Sequence, residues 1–557
     1  MSILLVMRCE YRLASTSSRI IDGKKLAGYS VRESFLSKKL LKSGVIVSFM
    51  TFVSRILGLI RDVVVANMLG AGAAADVFLV ANKIPNFLRR LFAEGAFAQA
   101  FIPVLSEVKS EGDKEHLKMF IAKVSGTLGV IVTIVTVFGV IGSPLVAALF
   151  GAGWFVDYLN DGPQADKFEP FALMLKITFP YLFFVSLTGL SGAVLNTLNK
   201  FAVAAFTPVL LNVAIISCAL YLSPHFENPE FALAWGVFLG GMLQLLFQIP
   251  FLYRAGVLVK PKWAWSDPKV RKVRKLMIPA LFGVSVSQIN LLIDTMIATT
   301  LMTGSVSWLY YSDRLLEFPL GLFGIAIATV ILPTLSKQHV SQDRQSFSNS
   351  MDWAIKVVVL LGAPAAAGLF VLAEPMLLTI FYGGAFTLED ATKASYSLMA
   401  YATGLLSFML VKVLAPGFYS RQDLKTPVRY GIYCMVANIF FNIALAIPYG
   451  YVGLAIATAL SATLNATLLY VQLHRLGVFQ ITANTGLYLA KILIGCVVMV
   501  SVIQFFNVDI AVWQSMDTLN KAFELGKLIL LGFVSFVVTL LVVGVRTSSF
   551  IGTHKVQ

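Results

Sequence analysis

A chain of 557 residues with 57% hydrophobic and 13% charged side chains, and a mean hydropathy of +0.80, is excluded from the soluble globular class, which needs far more polar cover. The formal net charge of +15 does not point to nucleic acid, because the basic residues sit in short loops between apolar runs, as the positive-inside rule requires. Cys9, Cys218, Cys434 and Cys496 lie far apart and match no metal-ligand spacing, so neither a disulfide framework nor a zinc site is expected.

In chain order, residues 1–39 show no long apolar run followed by a small-residue cleavage site, and they mix Ser, Gly, Arg and Glu without periodicity. They read as a disordered N-terminal extension. FLSKKLLK follows as a basic amphipathic lead-in to the first span. Apolar segments then recur near 44–69, 73–105, 119–149, 170–198, 202–223, 231–253, 276–302, 305–335, 353–381, 394–420, 430–448, 451–474, 485–506 and 524–545, about fourteen helices by the 20-residue criterion. The connections LGAGAAAD, SPHFENPE, LMTGSVS and PYGYVG hold no Lys or Arg, whereas an alternate one holds Lys260, Lys262, Lys269, Arg271, Lys272, Arg274 and Lys275. That asymmetry places both termini in the cytoplasm.

An internal repeat is also visible. AFIPVLSEVKS matches TVILPTLSKQH, SPLVAALFGAG matches EPMLLTIFYGG, and NKFAVAAFTPV matches YSRQDLKTPVR, each pair offset by about 220 to 230 residues in the same direction. The expected fold is an all-α polytopic membrane protein of two pseudo-symmetric six-helix lobes, 40–256 and 257–480, plus two C-terminal helices and a tail in 481–557.

Charges inside the first two spans are the strongest functional signal, because each costs about 2.5 to 3.5 kcal/mol at a helix centre unless it faces a polar cavity or a partner. Arg55, Arg61, Asp76, Lys83, Arg89, Arg90 and Glu94 all fall there, and the eighth span brings Asp313, Arg314 and Glu317 to a similar depth. Convergent guanidinium groups suit phosphate, since each planar fork donates two hydrogen bonds to adjacent oxygens. A lipid diphosphate is the natural ligand. The bland alternative is internal pairing of Arg61 with Asp62 or Asp76, and of Arg314 with Asp313 or Glu317. Asp294 is a lone carboxylate in the seventh span, and Asn438 and Asn442, one turn apart in the eleventh, are able to add oxygens for a cation. No nucleotide-binding loop is present, and no carboxylate or histidine constellation marks one interface as a transferase would.

The stretches SRILGLIRD, FLVANKIPNFLRRLFAEGAFAQAFIPVLSE, GSVSWLYYSDRLLEFPLG and VLAPGFYSRQDLKTPV resemble the MurJ (MviN) lipid II flippases, of the superfamily that also holds multidrug and oligosaccharide-lipid exporters. The resemblance covers about 40–545. It implies fourteen helices in two lobes, alternating access, no catalytic activity, and a lipid groove at the last two helices, in the bacterial inner membrane. Lipid II, an undecaprenyl-diphosphate-linked disaccharide-pentapeptide, is the implied substrate; membrane lipids and proteins of wall synthesis and division are the implied partners. Another polyprenyl-linked saccharide or a drug is the alternative cargo. Residues matching the family's proposed diphosphate contacts are Arg55, Arg61, Arg89 and Arg314, with Asp76, Asn86 and Ser54 nearby. No cofactor is implied beyond a monovalent cation at Asp294, Asn438 and Asn442, and Asn442 stands where a carboxylate can occur.

Overall fold

With no water in the hydrocarbon layer, an apolar run satisfies its backbone polar groups by closing them on itself, so the long hydrophobic segments become helices. The computed structural model describes residues 26–90, 97–481 and 483–545. In chain order it runs α1 (Leu26–Leu69), α2 (Ala73–Arg89), α3 (Phe97–Ser110), α4 (Lys114–Ile141), α5 (Ser143–Phe150), α6 (Ala152–Leu159), α7 (Phe168–Thr178), α8 (Tyr181–Thr197), α9 (Phe201–Ser217) and α10 (Glu230–Arg254). The second half continues with α11 (Pro268–Ala298), α12 (Ser305–Pro319), α13 (Ile325–Val340), α14 (Arg344–Val371), α15 (Ala373–Ile380), α16 (Leu388–Tyr419), α17 (Lys425–Arg475), α18 (Ala483–Phe506), α19 (Ile510–Ser515) and α20 (Thr518–Val542). Among the described residues, ten helical stretches are long and apolar enough to cross a membrane.

Residues 26–39 depart from expectation: they are helical and run without a break into the first span as part of α1. Residues 1–25 and Glu94 lie outside the described residues. Helix α17 would measure about 77 Å if straight, more than twice a hydrocarbon core. It is in fact two antiparallel arms. Gly450 adopts φ 55° and ψ −135° just after Pro448, a conformation that favours glycine. Across the fold-back, Ser461 Oγ donates to the Cys434 carbonyl at 2.9 Å and Tyr430 Oη to Gln472 Oε1 at 3.1 Å.

The internal repeat reappears as matched elements. Helices α4 and α14 are each 28 residues long and begin at a capping aspartate, Asp113 or Asp343, whose carboxylate accepts a backbone N–H of the first turn. The eight-residue α5 and α15 follow them, and α3 and α13 before them carry Pro103 and Pro333.

Two ends of the helix assembly differ. At the basic end, Lys123 pairs with Asp267 at 2.6 Å, Lys269 with Glu111 at 2.7 Å, and Lys272 with Glu107, tying α3 and α4 to the start of α11. Partial burial works to raise the Asp267 carboxyl, but the Lys123 ammonium and the Val270 and Lys269 N–H groups outweigh it and hold it below the ordinary aspartate value. At the glycine-rich end the two halves of the chain are bonded together. The Ala385 N–H donates to the Asn67 carbonyl at 2.7 Å, and Gln164 Nε2 to the Leu301 carbonyl at 2.8 Å. Between these ends, α1 packs along α9, while it makes no extensive contact with α12 or α13. Phe49, Phe52 and Ile56 on α1, and Leu322 and Val330 of the second half, stay exposed. Cys218, Cys434 and Cys496 are buried thiols without a bridge.

Candidate substrate-binding crevice

The candidate site is a charged constellation built on α1 and α12, one from each half of the chain. Arg61 and Asp62 are sequence neighbours, so their side chains leave α1 about 100° apart, and an arginine reaches its neighbour only by folding back. It does so here: Arg61 Nε and Nη2 both donate to Asp62 Oδ1, at 3.0 and 2.7 Å. Arg61 Nη1 donates to Asn212 Oδ1 of α9 at 3.1 Å, and Asn212 is itself held by the Ser54 carbonyl at 3.1 Å. On α12, Tyr310 and Arg314 are i,i+4 neighbours on one face. Arg314 Nη2 donates to Tyr310 Oη at 2.9 Å, its Nη1 to Glu317 Oε2 at 3.0 Å, and its Nε stands 3.2 Å from Asp62 Oδ2. Tyr310 Oη in turn donates to Asp62 Oδ1 at 2.9 Å and accepts from Arg61 Nη2 at 3.3 Å. Asp62, only 4% exposed, is therefore the knot that joins both arginines across the two halves.

Arg55 is exposed on α1, and its guanidinium lies against the backbone of Gly321, in the π turn Leu320–Gly324 between α12 and α13, where a Cβ would collide with it. On α2, Arg89 Nε donates to Asn86 Oδ1 at 3.2 Å, and Asn86 Nδ2 donates to the Asn82 carbonyl at 2.8 Å. Lys83, two turns nearer the glycine-rich end, donates from Nζ to Thr295 Oγ1 of α11 at 3.1 Å. The sequence-predicted Arg61 and Arg314 thus share one constellation, Ser54 supports it through Asn212, and Arg55 flanks it. Tyr310 was not singled out from the sequence, and Asp62 only as a pairing partner; a tyrosine four residues before an arginine within a span is the signal for it.

Asp76 requires a correction. It faces away from the crevice, buried at the glycine-rich seam with 1% exposure. Its Oδ2 accepts from Lys167 Nζ at 3.1 Å and from the Gly304 N–H at 2.8 Å, while Oδ1 accepts from the Ser307 N–H and Oγ at 3.0 and 2.7 Å. Gly304 caps α12 with φ 93°, which turns its N–H toward Asp76. The physical reason is the helix start: Asp76 lies in the first turn of α2, too near the end of the span to reach mid-membrane.

For the cation set, the donors are of oxygen type but the arrangement does not converge. Asn442 Nδ2 donates to both Asp294 Oδ1 at 2.6 Å and Asn438 Oδ1 at 2.9 Å, so an NH2 group stands where an ion would bridge those oxygens. As arranged, these residues do not fit an alkali-metal ion.

Membrane-crossing helices in two matched halves joined by a charged constellation define a multi-pass membrane transporter. The family model described as lipid II flippase MurJ matches residues 65–523. The chain belongs to the MurJ lipid II flippase family. A relative from Vibrio cholerae, described as a probable lipid II flippase MurJ, is 62% identical over 511 residues, covering 92% of this chain and 97% of its own length. The lipid II flippase MurJ of Burkholderia cenocepacia is 41% identical over 440 residues, with 78% and 84% covered. A solved structure of a lipid II flippase MurJ in an inward closed conformation superposes with a TM-score of 0.74 at 27% identity, covering 89% of this chain and 98% of that one. An inward-facing multidrug resistance MATE family transporter of the MOP superfamily shares the fold, with a TM-score of 0.63 at 13% identity over 77% of this chain and 96% of its own.

Proposed function

We propose that this chain flips lipid II, moving the diphosphate-linked peptidoglycan precursor from the inner to the outer leaflet of the cytoplasmic membrane. Beside family membership, the observation that carries the reading is the Arg61–Asp62–Tyr310–Arg314 constellation between the two halves of the chain. Guanidinium groups at mid-depth suit the diphosphate, and a lateral opening lets the polyprenyl tail remain in lipid. Alternating access then needs the glycine-rich seam to part and the basic end to close.

We read fourteen crossings: the ten qualifying stretches, one more because α17 folds back on itself, and three from α1, from α2 with α3, and from α11. They divide into lobes 40–256 and 257–480 and the pair α18 and α20. The loop charges put the basic end in the cytoplasm, so the crevice opens inward and the Asp76 seam is the outer gate. This orientation is checked by single cysteines at Glu227, Met302 and Ser266 in a chain freed of its native cysteines. The first two are expected to react with an impermeant thiol reagent on intact cells, and the third only after permeabilisation. Labelling at Ser266 in intact cells would reverse the topology.

The function itself is tested by depleting the protein and measuring lipid II in the outer leaflet, with purified protein in lipid II proteoliposomes as the second arm. Loss of outer-leaflet lipid II and recovery by reconstitution are expected. Unchanged outer-leaflet lipid II together with inert proteoliposomes would overturn the reading.

A further inference from the structure

Pro319 has no N–H with which to continue the α-helical ladder, and the chain answers with one wide turn, the π turn Leu320–Gly324, before α13 begins. Two glycines stand in that turn, and they are not equivalent. A Cβ on Gly324 would meet nothing nearer than Leu320 Cδ1 at 3.4 Å, an ordinary contact. A Cβ on Gly321 would overlap Arg55 Nη1 and stand 2.8 Å from its Nη2 and 3.1 Å from its Cζ. The space that a side chain would fill at position 321 is therefore taken by the end of the Arg55 guanidinium, which reaches over from the other half of the chain. Gly321 does not adopt a positive φ, so the demand at this position is for room and not for backbone freedom.

Arg55 also differs from the other arginines of the constellation. Arg61 and Arg314 are fixed by hydrogen bonds and ion pairs to Asp62, Asn212, Tyr310 and Glu317, whereas Arg55 is exposed and bonds to no described residue. A long side chain loses rotamer freedom when a ligand immobilises it, and a seat that confines it beforehand reduces that loss. A seat of bare backbone uses up none of the five guanidinium N–H donors. All of them remain for a ligand.

We propose that Gly321 is the positioning residue for Arg55: the uncovered backbone of the π turn seats the guanidinium between the two halves of the chain and leaves its donors free for the phosphate groups of the cargo. The nature of the cargo rests on the lipid II reading, and the seat does not. Because the colliding group is the far end of a flexible side chain, a methyl group added at 321 displaces Arg55 and leaves the turn in place.

The test is a double-mutant cycle in lipid II proteoliposomes, with flipping rate followed against the lipid II fraction. Gly321→Ala is expected to raise the half-saturating fraction about tenfold, the scale of one charge-assisted hydrogen bond, with the maximal rate and the unfolding temperature retained. Gly324→Ala, which stiffens the same turn away from Arg55, is expected to change neither kinetic value. In an Arg55→Ala background, Gly321→Ala is expected to add nothing. A second arm needs no substrate. In a chain freed of its native cysteines, the pair Arg55→Cys and Gly321→Cys is expected to be bridged by a short bismaleimide in detergent, read by peptide mass. If wild type does not flip lipid II, the lipid II reading fails and the bridge alone decides the seat. An equal loss from Gly321→Ala with and without Arg55, or no bridge between positions 55 and 321, would overturn the proposal.

Discussion

Arg314→Ala is expected to leave cells unable to grow when it is the sole copy, while Arg314→Lys supports partial growth, both at normal membrane levels. Arg314 holds Tyr310, Glu317 and Asp62 with three different nitrogens, a task that requires the guanidinium fork. Lysine keeps the charge but not the geometry. Each charge-assisted hydrogen bond lost to the diphosphate costs about 1.5 to 3 kcal/mol, so Ala should lose at least one order of magnitude in flipping rate and Lys less. The same ordering is expected at Arg55, Arg61 and Arg89. Pairing alone makes a different forecast: Arg314→Ala would then accumulate poorly, and adding Asp62→Asn would restore it by removing the stranded carboxylate. Complementation measured alongside membrane protein level separates the two. Full growth with well-expressed Ala variants at three of the four arginines would remove the binding site.

The second large effect belongs to the glycine-rich seam around Asp76. Asp76→Ala strands the Lys167 ammonium, whose side chain is only 2% exposed, and leaves the Gly304 and Ser307 N–H groups without their acceptor. Removing one partner of a buried pair costs about 3 to 5 kcal/mol. A markedly lower unfolding temperature in detergent is expected, with Asp76→Asn intermediate because it keeps an acceptor oxygen. Combining Asp76→Ala with Lys167→Met should restore part of the loss. An Asp76→Ala midpoint equal to wild type would mean that the seam contributes nothing to stability.

Much of this architecture was legible because a bilayer leaves a chain few options. Apolar length marks the spans. The repeat was readable from its paired sequence stretches, which fall in the structure on helices that carry Pro103 and Pro333 and on the short α5 and α15. The site was legible by residue type but not by role. Arg61 and Arg314 stood out because charge is costly in lipid. Tyr310 did not, since a tyrosine in an apolar helix reads as packing until its hydroxyl is seen to bond three groups. Asp76 was assigned to the crevice because sequence shows that a charge is enclosed but not which layer encloses it. Its place in the first turn of α2 decides that, and helix starts are among the least legible features. Residues 26–39 were read as a disordered tail for a related reason: mixed polarity without periodicity describes a helix as well as a tail.

The position of Asp62 also bears on the return stroke. A flippase that has delivered its cargo must swing back empty, and two guanidinium groups within the span with no anion would make that swing slow. If Arg61 and Arg314 hold the diphosphate as proposed, Asp62, bonded to Arg61 and beside Arg314, stands in for the phosphate once it departs. Cargo binding then becomes an exchange of one anion for another rather than the capture of a bare charge, and release is driven by a carboxylate that never leaves. Turnover is gained at the expense of affinity, which is the better bargain for a carrier whose substrate is already concentrated in the membrane.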